Sequence, residues 1–396
     1  MRIDRIEARA TTDTRGKPTV EATLRAGGVE ATASVPSGKS TGKHEAKELR
    51  DSDGGVQTAV GNVAGEIAKL MTSREWHSPD ELDEALIALD GTPDKSRLGA
   101  NAILAVSIGA QRLFAEEAGV PLWKAIAERG GFTPRPPSLY VNVMNGGAHA
   151  NFRLPIQEYI LVAEGKTSVA FAAAEAVFKE LGAELGDVPM GDEGGYSPTF
   201  PELDKPFEIL AALVAKHPGT SIAIDAAANE LLNDHGGYTL IGKDYTPSEL
   251  TMIYHSAVQR FPLRSIEDPF AEDDMEHFTK LTMAIGQSVI IIGDDLTVTN
   301  PARINAAHAA HAINGVLIKP NQIGTVKEAI SAVQTTHQNG WKAVCSHRSG
   351  ETMDTFIADF AYGVGAHGLK AGAFGQKERL AKYERLLEIE REAEAV

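Results

Sequence analysis

Six short apolar segments between residues 221 and 370 each lead into an ionisable residue. These residues are Asp225, Glu267, Asp294, Lys319, His347 and Lys370. Short apolar runs that alternate with helix-length segments are typical of parallel sheets. Random placement would scatter ionisable groups over both strand ends and over the helices, whereas a TIM-type barrel collects its site at the carboxyl ends of its strands. The sequence therefore predicts an α/β barrel from about Ser138 to the C-terminus, with a site at one mouth.

The first 130 residues follow a different pattern. Residues 2–9, 19–24 and 29–35 alternate between apolar and polar side chains and predict a three-stranded meander. Helical periodicity follows at residues 56–70, 79–89, 99–117 and 122–128. Strands followed by helices indicate an α+β domain. The proline-rich residues 133–137 form a connector, so we expect an N-terminal domain at 1–133 and a barrel domain at 138–396.

Composition excludes several classes of protein. The chain has 396 residues, with 38 Lys and Arg against 54 Asp and Glu, giving a formal charge of -16. This balance opposes binding to nucleic acid, whose backbone requires a basic surface. No apolar run approaches the roughly 18 residues that a membrane helix needs. The start of the chain alternates like a strand rather than a signal peptide, and Cys345 is the single cysteine, so we expect a cytoplasmic protein without disulfides.

The strand-end residues suggest a metal and a base. Asp225, Glu267 and Asp294 offer hard oxygen ligands of the kind that Mg²⁺ prefers. A single Asp after a strand is more often a helix cap or a surface acid, but three in register with two lysines favour a site. A lysine near other positive charges has a lowered pKa, so Lys319 or Lys370 could remove a proton beside a carboxylate. Taken alone, either is more often a surface or anion-binding lysine.

A glycine-rich turn at residues 191–195 contains the next candidate. Glu193 lies between glycines, where the backbone can bring a carboxyl group close to a ligand and let it donate a proton. A plain turn explains the local composition equally well. Glu158, which follows Gln157, is a second carboxylate that could pair with Glu193 and raise its pKa.

Two further segments contain candidate anion-binding groups. His347, Arg348 and Ser349 are rich in donors that suit a phosphate, although a capping turn is an equal alternative. His149 alone is more often structural. Residues 38–40 resemble the end of a nucleotide-binding P-loop, but Ala33 stands where that motif requires glycine and no strand-to-helix context is present.

With these residues identified, the sequence resembles the enolase family along nearly its whole length. The matching segments are TRGKPTVE (14–21), PSGKSTG (36–42), GANAIL (99–104), NVMNGGAH (142–149), GDEGGYSP (191–198), SIEDPF (265–270), GDDLTVTNP (293–301), KPNQIG (319–324), SHRSGET (346–352) and ERLAKY (378–383). The resemblance implies a lyase that interconverts 2-phospho-D-glycerate and phosphoenolpyruvate in glycolysis and gluconeogenesis. It also implies an N-terminal lid domain on an eight-stranded barrel whose first strands and helices depart from simple alternation.

The resemblance further implies a role for each candidate residue. Two Mg²⁺ ions would bind per active site, the first to Asp225, Glu267 and Asp294 and the second to Ser40 with the substrate phosphate. Lys319 would remove the C2 proton, and Glu193, supported by Glu158, would protonate the leaving C3 hydroxyl. The remaining substrate contacts would come from Lys370 at the carboxylate, Arg348 and Ser349 at the phosphate, and His149, His347 and Gln157 around the ligand. The family likeness implies a homodimer or homo-octamer.

Two loop segments depart from the family pattern. Lys39 replaces a small residue, and residues 151–153 read Asn-Phe-Arg instead of the more usual Gly-Asn-Lys. We expect Lys39 to add positive charge beside the phosphate. The alternatives are a superfamily enzyme acting on another acid and a catalytically silent paralogue retained for binding, but no chemical group expected of the family is missing.

Overall fold

The N-terminal region begins with a three-stranded antiparallel sheet. The computed structural model describes residues 1–39 and 41–395. Strands β1 (Arg5–Thr12), β2 (Pro18–Ala26) and β3 (Val29–Ser34) pair in the order β1-β2-β3. The turn between β2 and β3 contains Gly27 and Gly28, both with positive φ, which glycine adopts without strain. The predicted meander is present, with strand ends shifted by up to three residues.

Helices then cover one face of this sheet. They are α1 (Gln57–Asn62), α2 (Ala68–Met71), α3 (Pro79–Asp90), α4 (Ala100–Glu117) and α5 (Leu122–Gly130), with a π-helical segment Val63–Ile67 joining α1 to α2. Ser78 caps α3 by accepting a hydrogen bond from the Glu81 backbone, as serine before a proline-led helix favours. Helix α4 is buried along most of its length and packs on β2 and β3. No helix or strand lies at residues 131–137; the domain division at 133–138 stays a prediction.

Within residues 41–395, eight strands close into a barrel. Its order around the ring is β4-β5-β6-β9-β10-β11-β12-β13. The strands are β4 (Ser138–Asn145), β5 (Glu158–Ala163), β6 (Thr220–Asp225), β9 (Leu263–Glu267), β10 (Ile290–Gly293), β11 (Gly315–Ile318), β12 (Lys342–Ser346) and β13 (Gly368–Lys370); a hairpin of β7 (Tyr238–Leu240) and β8 (Lys243–Tyr245) lies outside it.

One barrel strand runs against the others. Strand β5 is antiparallel to β4 and to β6, while the remaining neighbours are parallel. Simple β/α alternation, read from the apolar runs, is therefore wrong at this point, and the irregular start implied by the family likeness is confirmed. As a consequence Glu158, the first residue of β5, lies at the carboxyl ends of its two neighbours.

Helices surround the barrel. They are α6 (Thr167–Leu185), α7 (Lys205–Val214), α8 (Pro247–Arg260), α9 (Met275–Ile285), α10 (Pro301–Ala309), α11 (Val326–Gln338), α12 (Phe356–Gly363) and α13 (Lys377–Glu394). Thr246 and Glu249 form a capping box at the start of α8, and Asn300 and Thr325 cap α10 and α11. In the described part of the chain, none of the helices is both long and apolar enough to span a bilayer.

The barrel interior has its own apolar core. Its buried residues are Tyr140, Ile160, Val162, Ala223, Ile292, Leu317 and Val344. Side chains on one face of a strand recur every two residues, and Ile160, Ala223 and Leu317 are each two positions from a predicted site residue. The site side chains therefore share the inward face and lie directly above this core.

Candidate active site

The strand register brings three predicted carboxylates together at the barrel mouth. Asn145 of β4 pairs with Glu158 of β5, Glu158 with Asp225 of β6, and Asp225 with Glu267 of β9. Neighbouring strands lie about 4.8 Å apart. The backbone ladder alone therefore fixes three acidic side chains in a row.

The ammonium group of Lys370, the last residue of β13, lies among these carboxylates. Its Nζ is 3.0 Å from Glu158 Oε2, 3.0 Å from Asp225 Oδ2 and 2.8 Å from Glu267 Oε2, and all four side chains are at most 7% exposed. Burying charges is costly unless they are paired. One lysine offsets three carboxylates only in part, so this cluster keeps an excess of acid.

The pKa values of the cluster reflect that excess. Burial opposes the charged ammonium, but Asp225, Glu158 and Glu267 together raise the pKa of Lys370 well above its usual value. Burial and the neighbouring Asp225 charge raise the pKa of Glu267 well above the ordinary range. The cluster therefore favours additional positive charge, whether protons or a cation.

Lys319, just beyond β11, contacts Asp294, just beyond β10. Gln322 Nε2 donates to the other Asp294 oxygen at 2.9 Å. Burial lowers the pKa of Lys319, but the Asp294 charge outweighs it and leaves the pKa above the usual value. The expectation of a lowered pKa is wrong for this arrangement, because Asp294 contacts the ammonium directly and outweighs the opposing charges of Arg348 and Lys370.

The turn that contains Glu193 is tightly packed. A Cβ added to Gly191 would lie 2.4 Å from the Asn145 Cβ, and Gly194 has a φ of +78°. Both positions therefore require glycine. Asn142 Nδ2 donates to Glu193 Oε2 at 3.1 Å, which fixes the carboxylate at the mouth. The sharp turn predicted from the sequence is present.

Glu193 and Glu158 form a carboxylate pair around His149. His149 Nδ1 is 3.7 Å from Glu193 Oε1 and 3.8 Å from Glu158 Oε1, and ligand atoms of all three residues lie within 4.8 Å of one another. Burial and the Glu193 charge raise the pKa of Glu158 well above normal. Burial also opposes ionisation of Glu193, but His347, His149 and Arg379 lower its pKa well below normal.

This result reverses the predicted direction within the pair. Glu158 was expected to raise the pKa of Glu193, whereas the pKa of Glu158 is the raised one and the pKa of Glu193 is lowered. The reason is positional: Glu193 lies beside the two histidines and near Arg379, while Glu158 has Lys370 as its nearest cation. The environments of the two carboxyl groups therefore shift their pKa values in opposite directions.

Several buried polar atoms of the cleft residues have no hydrogen-bond partner among the residues described. They include His149 Nδ1, Gln157 Oε1 and His347 Nε2, and also Glu158 Oε2, which lies at ion-pair distance from Lys370. His347 Nε2 lies 3.2 Å from Glu193 Oε2, but this contact does not have hydrogen-bond geometry. Burial lowers the pKa of His347 to about 4, so this imidazole is neutral near pH 7. Buried polar atoms are normally satisfied, which indicates that a polar ligand belongs here.

Arg348 and Ser349 follow β12 and lie on the same side of the mouth as the N-terminal domain. Glu45 accepts two hydrogen bonds from the Arg348 guanidinium, at 2.9 Å and 3.1 Å, and both side chains are buried. The Arg379 guanidinium donates to the Ser349 carbonyl at 2.9 Å. These contacts hold both predicted phosphate-binding residues in fixed positions.

One cleft collects nearly all the predicted site residues. It is lined by Lys39, His149, Gln157, Glu158, Glu193, Asp225, Asp268, Asp294, Asp295, Lys319, His347, Arg348, Ser349 and Lys370, among others. Glu267 reaches it through its contact with Lys370. Ser40, the predicted ligand of a second metal ion, lies outside the described residues.

Comparison with known proteins agrees with this geometry. The family model for the enolase C-terminal TIM barrel domain matches residues 135–396, and the model for the enolase N-terminal domain matches residues 3–126. Enolase of Methanopyrus kandleri is 42% identical over 410 aligned residues, covering 98% of this chain and 95% of the relative. Enolase of Acidothermus cellulolyticus is also 42% identical, covering 98% and 94%.

The chain belongs to the enolase family. The predicted family and its fold are confirmed, and the activity is the lyase reaction of that family, phosphopyruvate hydration and dehydration.

The donor set fits the metal that the enolase family implies. Asp268, Asp294 and Asp295 have carboxylate oxygens within 4.8 Å of one another. Burial, together with the Asp294 charge, raises the pKa of Asp295 to about 7, so this group also favours added positive charge. Of the three predicted ligands only Asp294 belongs to this group, because Asp225 and Glu267 meet at Lys370. Buried carboxylates in excess are the hard ligands that a divalent cation requires.

Sequence reasoning did not identify several residues that support the enolase-type site. Asp268 and Asp295 immediately follow two predicted ligands, so the apolar runs could have indicated them. Asn142 lies two residues beyond Tyr140, so the alternation of β4 places it on the same inward face. Glu45 and Arg379 belong to a loop and to a charged helix, and no local pattern distinguishes them from surface residues.

Proposed function

We propose that this chain interconverts 2-phospho-D-glycerate and phosphoenolpyruvate with Lys319 as the base and Glu193 as the acid. The observation that carries the proposal is the shared cleft, which is lined by a lysine beside the acidic cluster and by a carboxylate pair whose pKa values are shifted in opposite directions. Removal of a proton beside a carboxylate and loss of a hydroxyl require these two groups.

The carboxylate pair supplies the proton to the leaving group. In this proposal Glu158 holds the proton, and Glu193, in the turn beside His149, passes it to the C3 hydroxyl. His347 is neutral near pH 7 and can donate or accept a hydrogen bond without adding charge. The unpartnered atoms of His149, Gln157 and His347 then contact the ligand.

The other end of the substrate meets positive charge. We assign the phosphate to Arg348 and Ser349, and the carboxylate to Lys370, whose ammonium already lies among acidic groups. Lys319 must be neutral to act as a base, and Asp294 opposes this here. Lys319 can act as the base only if another cation neutralises the Asp294 carboxylate, as a metal ion bound to Asp294 would.

We assign Mg²⁺ as the metal, held by Asp225, Glu267 and Asp294, with a second ion at Ser40. Bound Mg²⁺ stabilises the negative charge that develops on the substrate carboxylate after proton removal. Calorimetric titration of Mg²⁺ into chelator-treated protein tests the assignment. Asp225→Asn and Glu267→Gln should each weaken binding at least tenfold, and unchanged binding would remove them from the ligand set.

Isotope exchange separates the base from the acid. Lys319→Ala should abolish both formation of phosphoenolpyruvate, followed by its ultraviolet absorbance, and exchange of the C2 hydrogen with D₂O. Glu193→Gln should lose product formation by roughly 10²-fold or more and still exchange the C2 hydrogen. Loss of exchange in Glu193→Gln and retention in Lys319→Ala would reverse the roles.

A matched lysine provides the control. Lys327 on α11 pairs with Glu84 at the surface, away from the cleft. Lys327→Ala should leave turnover and exchange unchanged. Glycerate lacking the phosphate should be a poor substrate if Arg348 and Ser349 bind the phosphate; equal turnover would favour a superfamily enzyme acting on another acid.

The assembly and the cellular role are part of the same proposal. We propose a homodimer or homo-octamer that acts in glycolysis and gluconeogenesis in the cytoplasm. Light scattering on the purified protein tests the first part, because a monomer at micromolar concentration would contradict it.

A further inference from the structure

The ammonium group of Lys39 joins two loops at the mouth of the cleft. Nζ lies 2.6 Å from Asp192 Oδ2 and donates to the Ala148 carbonyl oxygen at 2.8 Å. Asp192 immediately precedes Glu193, and Ala148 immediately precedes His149. A single side chain from the N-terminal domain therefore contacts two segments of the barrel, one next to Glu193 and the other next to His149.

Both ends of this link are anchored. On the N-terminal side, Ser37 and Gly350 exchange backbone hydrogen bonds of 2.8 Å and 2.9 Å. On the barrel side, the Asp192 carbonyl accepts from Gln376 Nε2 at 3.1 Å and from Arg379 at 3.2 Å, and the Asp192 amide donates to the His149 carbonyl at 3.1 Å. The ion pair thus connects two fixed points rather than two free loops.

We propose that Lys39 is a positioning residue that holds the Glu193 turn and the His149 loop in the geometry needed for proton transfer to the leaving group. This inference rests on the proposed role of Glu193. It replaces the expectation that Lys39 acts on the phosphate, because its ammonium is committed to Asp192 and Ala148.

The solvent exposure of the Lys39–Asp192 ion pair indicates how large an effect its loss should have. The Lys39 and Asp192 side chains are 40% and 35% exposed, and ion pairs of this kind contribute little to global stability. We expect loss of this ion pair to increase local opening of the two loops, a motion that occurs without global unfolding. We therefore expect an unchanged melting temperature and a roughly three- to tenfold change in local opening.

Hydrogen exchange on the full-length protein without substrate tests the link directly. Lys39→Met and Asp192→Asn should each speed exchange in peptides covering residues 147–153 and 190–196, and the double variant should add nothing further. Lys39→Arg should restore most of the protection. Unchanged exchange in both single variants would overturn the proposal.

Lys43 provides a matched control. It lies four residues beyond Lys39 and forms an exposed ion pair with Asp273 in a different barrel loop. Lys43→Met removes the same charge from the same segment, so it should leave exchange at 147–153 and 190–196 unaltered. Equal acceleration by Lys43→Met would mean that overall charge, rather than the Lys39 contacts, protects these loops.

Kinetics distinguish positioning from substrate binding. Lys39→Met should lower kcat about three- to tenfold with less than a twofold change in KM, and Lys39→Arg should recover kcat. A raised KM with unaltered kcat would overturn positioning in favour of direct contact with the phosphate. Faster exchange in a protein whose wild type shows no turnover would support the link while refuting the proposed reaction.

Discussion

The cleft has two halves that are built in different ways. Glu158, Asp225, Glu267 and Lys370 lie on strands, and the backbone ladder fixes their spacing. Glu193 and Arg348 lie on loops, and His149 lies in a 3-10 turn, Gly147–Ala150. The two loop residues are each held by a side chain distant in sequence, Asn142 for Glu193 and Glu45 for Arg348. The strand half therefore depends on the barrel alone, whereas the loop half also depends on the N-terminal domain.

The two halves also respond to pH in opposite directions. Burial and neighbouring charge raise the pKa values of Glu158 and Glu267, so these groups favour folding more at low pH. Burial lowers the pKa of His347 to about 4, so this loop residue favours folding more at high pH. The opposite pH dependences of the acidic groups and of His347 partly cancel in the free energy of unfolding. Single substitutions separate the two contributions.

The largest expected effect comes from the strand half. Lys370→Met leaves three buried carboxylates without their common counter-ion and should lower the free energy of unfolding by about 3–5 kcal/mol at pH 7. The loss should shrink as the pH falls, because the pKa values of Glu158 and Glu267 are raised and protonation relieves the repulsion. Urea denaturation at several pH values measures both.

An exposed lysine provides the comparison for that variant. Lys377 at the start of α13 is 80% exposed, and Lys377→Met should change the free energy of unfolding by less than about 0.5 kcal/mol. A loss in Lys370→Met that stayed constant with pH would show that lost packing, rather than unpaired charge, is responsible.

The same division explains what could be predicted from sequence. Apolar runs ending in Asp225, Glu267, Asp294, Lys319 and Lys370 have a periodic signal, and the structure brings these residues to one mouth. The direction of β5 has no such signal, since an antiparallel strand has the same alternation as a parallel one. Only the family likeness indicated an irregular start to the barrel.

The sequence also did not indicate which side chains contact one another. The pKa of Lys319 was predicted to be lowered, but the Asp294 contact that raises it depends on the side-chain geometry of two adjacent strand ends. Arg379 belongs to a helix with many charged residues, yet it is fully buried against His347 and the Ser349 carbonyl. Burial of this kind follows from packing between distant segments, which local composition does not encode.

The pH dependence of the loop half can be isolated with two histidines. His347 and His367 both have a pKa lowered to about 4, chiefly by burial, against about 6.5 when unfolded. Between these values the unfolded chain binds more protons, so each histidine makes the protein more stable as the pH rises from 4 to 6.5. Relative to His347→Gln, the wild-type protein should gain about 3 kcal/mol over this range.

His367 lies immediately before β13, outside the cleft. His367→Gln should remove a pH-dependent contribution of similar size, since the pKa of His367 is also lowered to about 4, and should leave turnover unchanged. His347→Gln should remove the pH-dependent contribution of this histidine to stability and should also abolish most of the turnover. A flat difference between wild type and His347→Gln across pH 4 to 6.5 would mean that this imidazole stays protonated in the folded protein.

A smaller effect is expected where the loop half meets the N-terminal domain. Glu45→Gln leaves the buried Arg348 guanidinium without its carboxylate and should cost about 2–3 kcal/mol of unfolding free energy. KM for the phosphorylated substrate should change more than kcat, since Arg348 is assigned to the phosphate. Glu66→Gln, which breaks an exposed pair with Arg97, is the control and should cost less than about 1 kcal/mol. Equal losses in the two variants would show that Arg348 does not depend on Glu45.

The smallest expected effect comes from a substitution at a helix cap outside the cleft, which serves as a reference for both halves. Thr246 caps α8 through a capping box with Glu249, and the cleft does not include either residue. Thr246→Ala should lower the free energy of unfolding by about 1 kcal/mol and leave kcat and KM at their wild-type values. A change in kcat would show that α8 transmits strain to Asp225 or Glu267, the strand ends that flank it in sequence. The strand half would then depend on the surrounding helices as well as on the barrel ladder.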